Sequence, residues 1–146
     1  MKIALASDHR GYELKSKLIE YLKEKYEIID LGTNSEESVD FPLYGIKLGE
    51  TIKNNEADFG IAICGTGIGI SIAVNKVKGV MCAKISTKDE ARLAKEHNNA
   101  NVIAFSGSIP EAQAIEMVET FISATPNQEE KYRRRINQII DYDNEH

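Results

Sequence analysis

The stretch Asp58-Phe-Gly-Ile-Ala-Ile-Cys64-Gly-Thr-Gly-Ile-Gly69 limits what this chain can fold into more than any other. An apolar run ends in a cysteine, and a glycine-rich turn follows at once. Ile70 to Asn75 can then begin a helix. In a parallel sheet this order places Cys64 at the carboxyl end of a buried strand, with the N–H groups of the turn gathered beside it. Open α/β sheets bind ligands at that end of their strands. A helix N-terminus there favours negative charge. A thiol so placed can serve as base or as nucleophile.

The rest of the chain repeats this unit. Lys2 to Ser7 reads as a first strand that ends at Asp8-His9-Arg10-Gly11. Tyr12 to Lys25 carries Leu14, Leu18 and Leu22 at i, i+4 and i+8, the face of an amphipathic helix. Glu27 to Leu31 is a second strand, and Thr33 to Asp40 a polar loop. Pro42 suits the first turn of a helix, continued by Tyr44, Leu48 and Ile52. Ala57 to Cys64 is the third strand, followed by the turn and a helix to about Lys76. Gly79 to Ile85 is the fourth strand. Thr87 caps a helix to about His97, with Glu90 completing a capping box. Asn101 to Phe105 is the fifth strand, and Pro110 opens a helix through Ile115, Val118 and Phe121. A last helix runs from about Gln128 to Ile140. Strands alternating with helices imply α/β architecture: a doubly wound, Rossmann-like sheet of five parallel strands with helices on both faces. Ala124-Thr-Pro-Asn127 breaks the pattern, so the last helix is expected to extend to a partner subunit.

Residues 1–146 are one domain of common size. A hydrophobic content of 42% is enough for a real core. No apolar run approaches the roughly 20 residues of a membrane span, and no signal-peptide pattern opens the chain. A cytoplasmic location is expected. A net charge of −5 weighs against nucleic acid as a partner. Two cysteines make neither a disulfide framework nor a metal site. Cys82 lies in a strand-like run and reads as core packing.

Several polar residues follow strand ends and converge on one rim: Asp8 and His9, then Cys64 to Gly69, then Ser86 and Thr87. His97 and Asn98 instead end a helix and precede a strand. They belong on the opposite rim and can meet Cys64 only through an unusual loop or from a neighbouring subunit. Each residue also has a plain structural reading. Asp8 can cap the first helix, and His9 can be an exposed loop residue. His97 can complement a helix dipole, and Asn98 can be the left-handed residue that ends the helix. Gly65-Thr-Gly-Ile-Gly69 is not the dinucleotide fingerprint, but it suits an oxyanion or phosphate nest. Lys131 and Arg135 are four apart on one helical face, which suits two-point contact with a phosphate or simple solvation.

Ser7-Asp-His-Arg-Gly11, Asp40-Phe-Pro42, Cys64-Gly-Thr-Gly-Ile-Gly-Ile-Ser71, Asn75-Lys76 and His97-Asn98-Asn-Ala-Asn-Val102 stand in one order along nearly the whole chain. That order resembles the ribose-5-phosphate isomerase B family, which also contains the galactose-6-phosphate isomerase subunits. The resemblance implies aldose–ketose isomerisation of a sugar phosphate with no metal and no organic cofactor. Cys64 would be the general base between C1 and C2, and Thr66 would assist proton exchange. The turn from Gly65 through Thr66, Gly67 and Ile68 to Gly69 would hold the enediolate, with Ser71 and Asn98 also in substrate contact. His97 would help open the sugar ring, and Asp8 would bind the ring or its hydroxyls. His9, Lys131 and Arg135 would hold the phosphate. The site would be built from two subunits of a homodimer or tetramer.

The chain departs from the family pattern in two places. Glu129-Glu-Lys-Tyr132 replaces the usual glycine-glycine-arginine-histidine, which leaves Arg134 a rival to Arg135. Ser106-Gly-Ser108 stands where many relatives carry an arginine, so that one phosphate contact is missing or supplied differently. Three further readings stay open: isomerisation of allose or galactose 6-phosphate, a non-catalytic phosphosugar- or nucleotide-binding module, and a cysteine acyl-transfer enzyme. Retention of both Cys64 and His97 in one chain favours a homomeric isomerase.

Overall fold

A computed structural model describes residues 1–146. The elements run β1 (Lys2–Ser7), α1 (Tyr12–Leu22), β2 (Glu27–Asp30), α2 (Phe41–Lys53), β3 (Phe59–Cys64) and α3 (Ile68–Asn75). They continue with β4 (Cys82–Lys84), α4 (Lys88–Asn98), β5 (Val102–Ser106), α5 (Glu111–Ser123) and α6 (Glu130–Glu145). All strand pairs are parallel, in the order β2-β1-β3-β5-β4. The expected α/β sheet is therefore present. From β1 the chain moves outward to β2, and it then returns to place β3 on the other side of β1. The strand order reverses at that point, and the crevice between the carboxyl ends of β1 and β3 opens there.

Alternation along the strands separates two cores. Ile3, Leu5, Ile61, Ile63, Ile103 and Phe105 pack with α1, α4 and α5. Leu14, Leu18 and Leu22 are all buried in that core, as their spacing predicts. The other face carries Ala4, Ala6, Ala62, Cys64 and Ala104 beneath α2 and α3. Small side chains let these helices lie close to the sheet and to each other. At Gly49 of α2 a Cβ would come within 2.6 Å of Val77, so the close contact with the turn after α3 needs glycine there.

The structure shifts several boundaries. α1 stops at Leu22 rather than Lys25, because Lys25 and Tyr26 both donate backbone bonds to the Leu22 carbonyl and turn the chain toward β2. β4 is only three residues long, against the expected Gly79 to Ile85. It is an edge strand, and the Asn75 side chain clamps its free edge. That amide accepts from Cys82 N–H at 2.7 Å and donates to Cys82 C=O at 2.8 Å. Such a clamp closes the edge to further pairing. Thr87 caps α4 as expected, accepting from Glu90 N–H at 3.1 Å. The Glu90 carboxylate reaches Ser86 N–H, one residue earlier than in a standard capping box. The left-handed residue that ends α4 is Asn99 (φ 49°), not Asn98.

α6 begins at Glu130 and runs five residues past Ile140. It touches its own domain near both ends. Asn127 N–H donates to Glu96 C=O just before the helix, and Asp143 accepts from Gly79 N–H near its end. Ile136 is its one buried residue, while Ile139, Ile140 and Tyr142 are exposed.

Candidate active site

Cys64 ends β3, and its side chain is buried. The chain must leave the sheet there and start α3 within four residues. Gly67 makes this possible: its φ is +82°, and a Cβ would lie 2.7 Å from the Phe105 backbone. The turn then wraps the sulfur. Gly67 N–H donates to Cys64 Sγ at 3.2 Å, and Ile68 N–H donates to Thr66 Oγ1 at 3.1 Å. Two amides of the expected nest thus hold a sulfur and a hydroxyl of the turn itself. Ser106 Oγ donates to Gly65 C=O at 2.7 Å and fixes the turn to β5.

Asp8 and His9 follow β1 on the same rim. Asp8 does not cap α1, whose N-cap is Gly11. Its Oδ1 instead accepts from Arg10 N–H at 2.9 Å and Gly11 N–H at 3.2 Å. This Asx turn leaves Oδ2 for another partner. His9 is not a free loop side chain. Its Nδ1 lies 3.2 Å from Val39 N and 3.3 Å from Val39 O, so either tautomer is anchored by Val39 and Nε2 is left over. These residues surround a cavity of about 370 Å³ with Cys64, Gly65, Thr66 and Gly69 in its wall. Phe41 closes one side, packed against Gly69 where a Cβ would meet its ring at 2.7 Å.

The second group lies elsewhere. His97 is in the last turn of α4, and its ring stacks on Tyr132 of α6 at 4.5 Å between centroids and 14° between planes. Asn101, just beyond, accepts from Gly60 N–H at the start of β3. Cys64 is four residues further along that strand, roughly 13 Å away at 3.3 Å per residue. Lys131 and Arg135 flank Tyr132 on α6 and are exposed. Arg134 is paired with Glu130. One chain therefore brings Asp8, His9, Cys64, Gly65, Thr66 and Gly69 together. It gathers His97, Lys131 and Arg135 at the other end of the strands. Asn98 is exposed nearby. Ser71 joins neither group: its Oγ donates back to Ile68 C=O at 2.7 Å.

A family model described as Ribose/Galactose Isomerase matches residues 3–139. The chain belongs to the ribose/galactose isomerase family. Among solved structures it resembles the ribose-5-phosphate isomerase B of Clostridium thermocellum, with TM-score 0.94, 41% identity and 99% of each chain covered. The ribose-5-phosphate isomerase B of Mycoplasma genitalium, solved with bound ribulose 5-phosphate, gives TM-score 0.91 at 38% identity over 99% of this chain and 97% of that one. Among curated relatives, the galactose-6-phosphate isomerase subunit LacB of Clostridium acetobutylicum is 41% identical over 85% of this chain and 73% of its own.

Within this isomerase, the cavity wall also contains Arg10, Ser38, Val39, Asp40 and Phe41, which the sequence reading did not assign to the site. Ser38, Val39 and Asp40 lie on the loop after β2, and Phe41 opens α2. A second cavity, of about 390 Å³, lies between β4 and the end of α6 and is mostly apolar. Its thiol, Cys82, is pushed up to about 12 by burial and so stays protonated near neutral pH. No three His, Cys, Asp or Glu side chains cluster as a metal site, and no helix is long and apolar enough to cross a membrane.

Proposed function

We propose that this isomerase interconverts ribose 5-phosphate and ribulose 5-phosphate through an enediolate, at sites shared between two copies of the chain. The observation that carries the reading is the Cys64 sulfur, oriented by Gly67 N–H in the wall of a cavity that also holds Asp8 and His9. Proton transfer between neighbouring carbons needs a base held near the carbon and donors near the developing oxyanion. The thiolate takes the proton from C2 of the open-chain aldose, which leaves an enediolate, and the proton returns to C1 to give the ketose. The turn amides not engaged by Sγ or Thr66 face the oxyanion. Thr66 exchanges protons on the substrate oxygens, and Asp8 Oδ2 accepts from a hydroxyl.

The second copy supplies His97 for ring opening, with Asn98, Lys131 and Arg135. His9 and these two cations hold the phosphate, whose fixed position contributes remote binding energy to the reacting end. Arg135 is preferred to Arg134, whose guanidinium is engaged by Glu130. Leu43 and Ile46 of α2 and Ile68 and Ile72 of α3 are exposed on two helices packed side by side next to the cavity. Such a face favours association. It supports the placing of a second copy there. A homodimer with two shared sites is the simplest such assembly.

A six-carbon phosphate is the second reading, favoured by the likeness to a galactose-6-phosphate isomerase subunit. The deciding assay compares ribose 5-phosphate with allose and galactose 6-phosphates, with and without chelator. Fastest turnover of the pentose, untouched by chelator, is expected. Turnover of none of the three would sink the proposal.

A further inference from the structure

Arg10 belongs to none of the roles assigned above, yet it carries the only permanent positive charge in the cavity wall. The chain has five arginines. Arg92 and Arg134 are paired with carboxylates, and Arg133 and Arg135 stand on α6. Arg10 alone stands on the Cys64 rim. Its guanidinium makes no hydrogen bond or ion pair in the chain, and the residue is exposed.

Its placement is built rather than incidental. The side chain lies across Gly65, where a Cβ would meet Arg10 Cδ at 2.8 Å and Nη1 at 3.1 Å. Any side chain at residue 65 would have to push that flexible arm aside. The Arg10 backbone is pressed against the loop after β5, where a Cβ on Gly107 would lie 2.3 Å from Arg10 O. The same loop is tied to Gly65, since Ser106 Oγ donates to Gly65 C=O and accepts from Ser108 N–H. Arg10, Gly65 and Ser106–Ser108 are thus one packed unit. That loop, Gly107-Ser-Ile-Pro110, carries no cation of its own.

We propose that Arg10 is a phosphate-binding residue, supplying from the β1–α1 loop the cation that the β5–α5 loop lacks. The inference rests on the sugar-phosphate reading of the cavity. His9 Nε2 and the Arg10 fork would grip the phosphate from the Cys64 side, opposite Lys131 and Arg135 of the second copy. The fork gives two N–H donors in fixed geometry to one phosphate.

The test uses the full chain with Arg10→Gln and Arg10→Lys. It measures steady-state kinetics on ribose 5-phosphate and the affinity for inorganic phosphate, by competitive inhibition and by calorimetry. Arg10→Gln should raise KM and the phosphate dissociation constant by about tenfold to a hundredfold, the span of charge-assisted hydrogen bonds. Arg10→Lys should recover part of the loss. Adding Ser108→Arg to Arg10→Gln should recover phosphate affinity from the neighbouring loop. Phosphate affinity within twofold of wild type in both single variants would overturn the assignment while leaving the isomerase reading intact. If the wild type turns over no sugar phosphate but Arg10→Gln still loses phosphate, that reading fails and the Arg10 assignment stands. Arg10 is exposed, so thermal melting should show both variants folded; were Arg10→Gln to unfold, Arg10→Lys decides by the same limit.

Discussion

The two ends of the sheet carry the two candidate half-sites, and they are built in opposite ways. At the carboxyl end of β1 and β3 the side chains of Asp8, His9 and Cys64 are fixed by backbone. Asp8 is held by two N–H groups, His9 by Val39, and the Cys64 sulfur by Gly67. At the other end His97 rests on one ring face, and Lys131 and Arg135 stand on an exposed helix whose single buried residue is Ile136. The first half is preorganised within one chain. The second half presents side chains outward, as a surface does when a partner completes it.

The largest expected effect breaks the first half alone. Cys64→Ala should lower kcat by about a hundredfold to ten-thousandfold, the usual contribution of a general base. The melting temperature should change little, because the substitution removes one sulfur from a packed face. Initial-rate assays with either sugar phosphate and a thermal melt measure both quantities. Wild-type turnover in the variant would end the case for the thiol as base.

Mixing the two halves sharpens the comparison. Cys64→Ala and His97→Asn homodimers should each be impaired. A hybrid dimer keeps one site with both native residues and one with neither. Random exchange makes half of the dimers hybrids, so the mixture should recover about a quarter of wild-type activity by two-fold symmetry. The recovery is read after the two variants are unfolded together and refolded. No recovery from a demonstrated hybrid would place both residues in one chain's site and contradict the roughly 13 Å of strand between them.

Gly67→Ala tests whether the turn or the thiol itself makes the first half. Alanine must adopt φ near +82°, at about 1–2 kcal/mol for the left-handed conformation, and its Cβ must also displace the Phe105 backbone. The expected result is a lower melting temperature together with a fall in kcat, as the N–H donor to Sγ moves. A variant as stable and as active as wild type would show that the turn is a connector only.

The sequence carried the first half more fully than the second, for a physical reason. Strand alternation, the glycine turn and the leucine spacing are local, so the sheet and the positions of Cys64, Asp8 and His9 could be read directly. The same local rules put His97 on the wrong rim, and the structure agrees. What they miss is what side chains do after the chain turns back on itself. The Ser71 hydroxyl folds onto Ile68 C=O instead of the cavity, and Arg10 crosses Gly65, because contacts between loops decide those directions. Val39, on the loop after β2, anchors His9, and Phe41 at the start of α2 walls the cavity; no periodicity encodes either contact.

The smallest effect tests whether the second half is mobile or only exposed. Lys95, two residues before His97, is buried with Nζ 4.0 Å from the Phe59 ring centroid, 4.3 Å from that of Phe121, and donating to Phe121 C=O at 3.0 Å. The contact ties α4 to the last turn of α5, which has no basic residue of its own. Burial holds the Lys95 ammonium below the usual lysine value of 10.5. Between that lowered value and 10.5 the unfolded chain binds more protons than the folded one, so stability should rise with pH across the window. Lys95→Met removes the titrating group, and urea titrations from pH 7 to 10.5 should show a flatter profile in the variant. The kcat should stay within about twofold of wild type, as for a change remote from the chemistry. A profile as steep as wild type would mean that Lys95 is not desolvated, and its burial would then contribute nothing to the anchoring of α4.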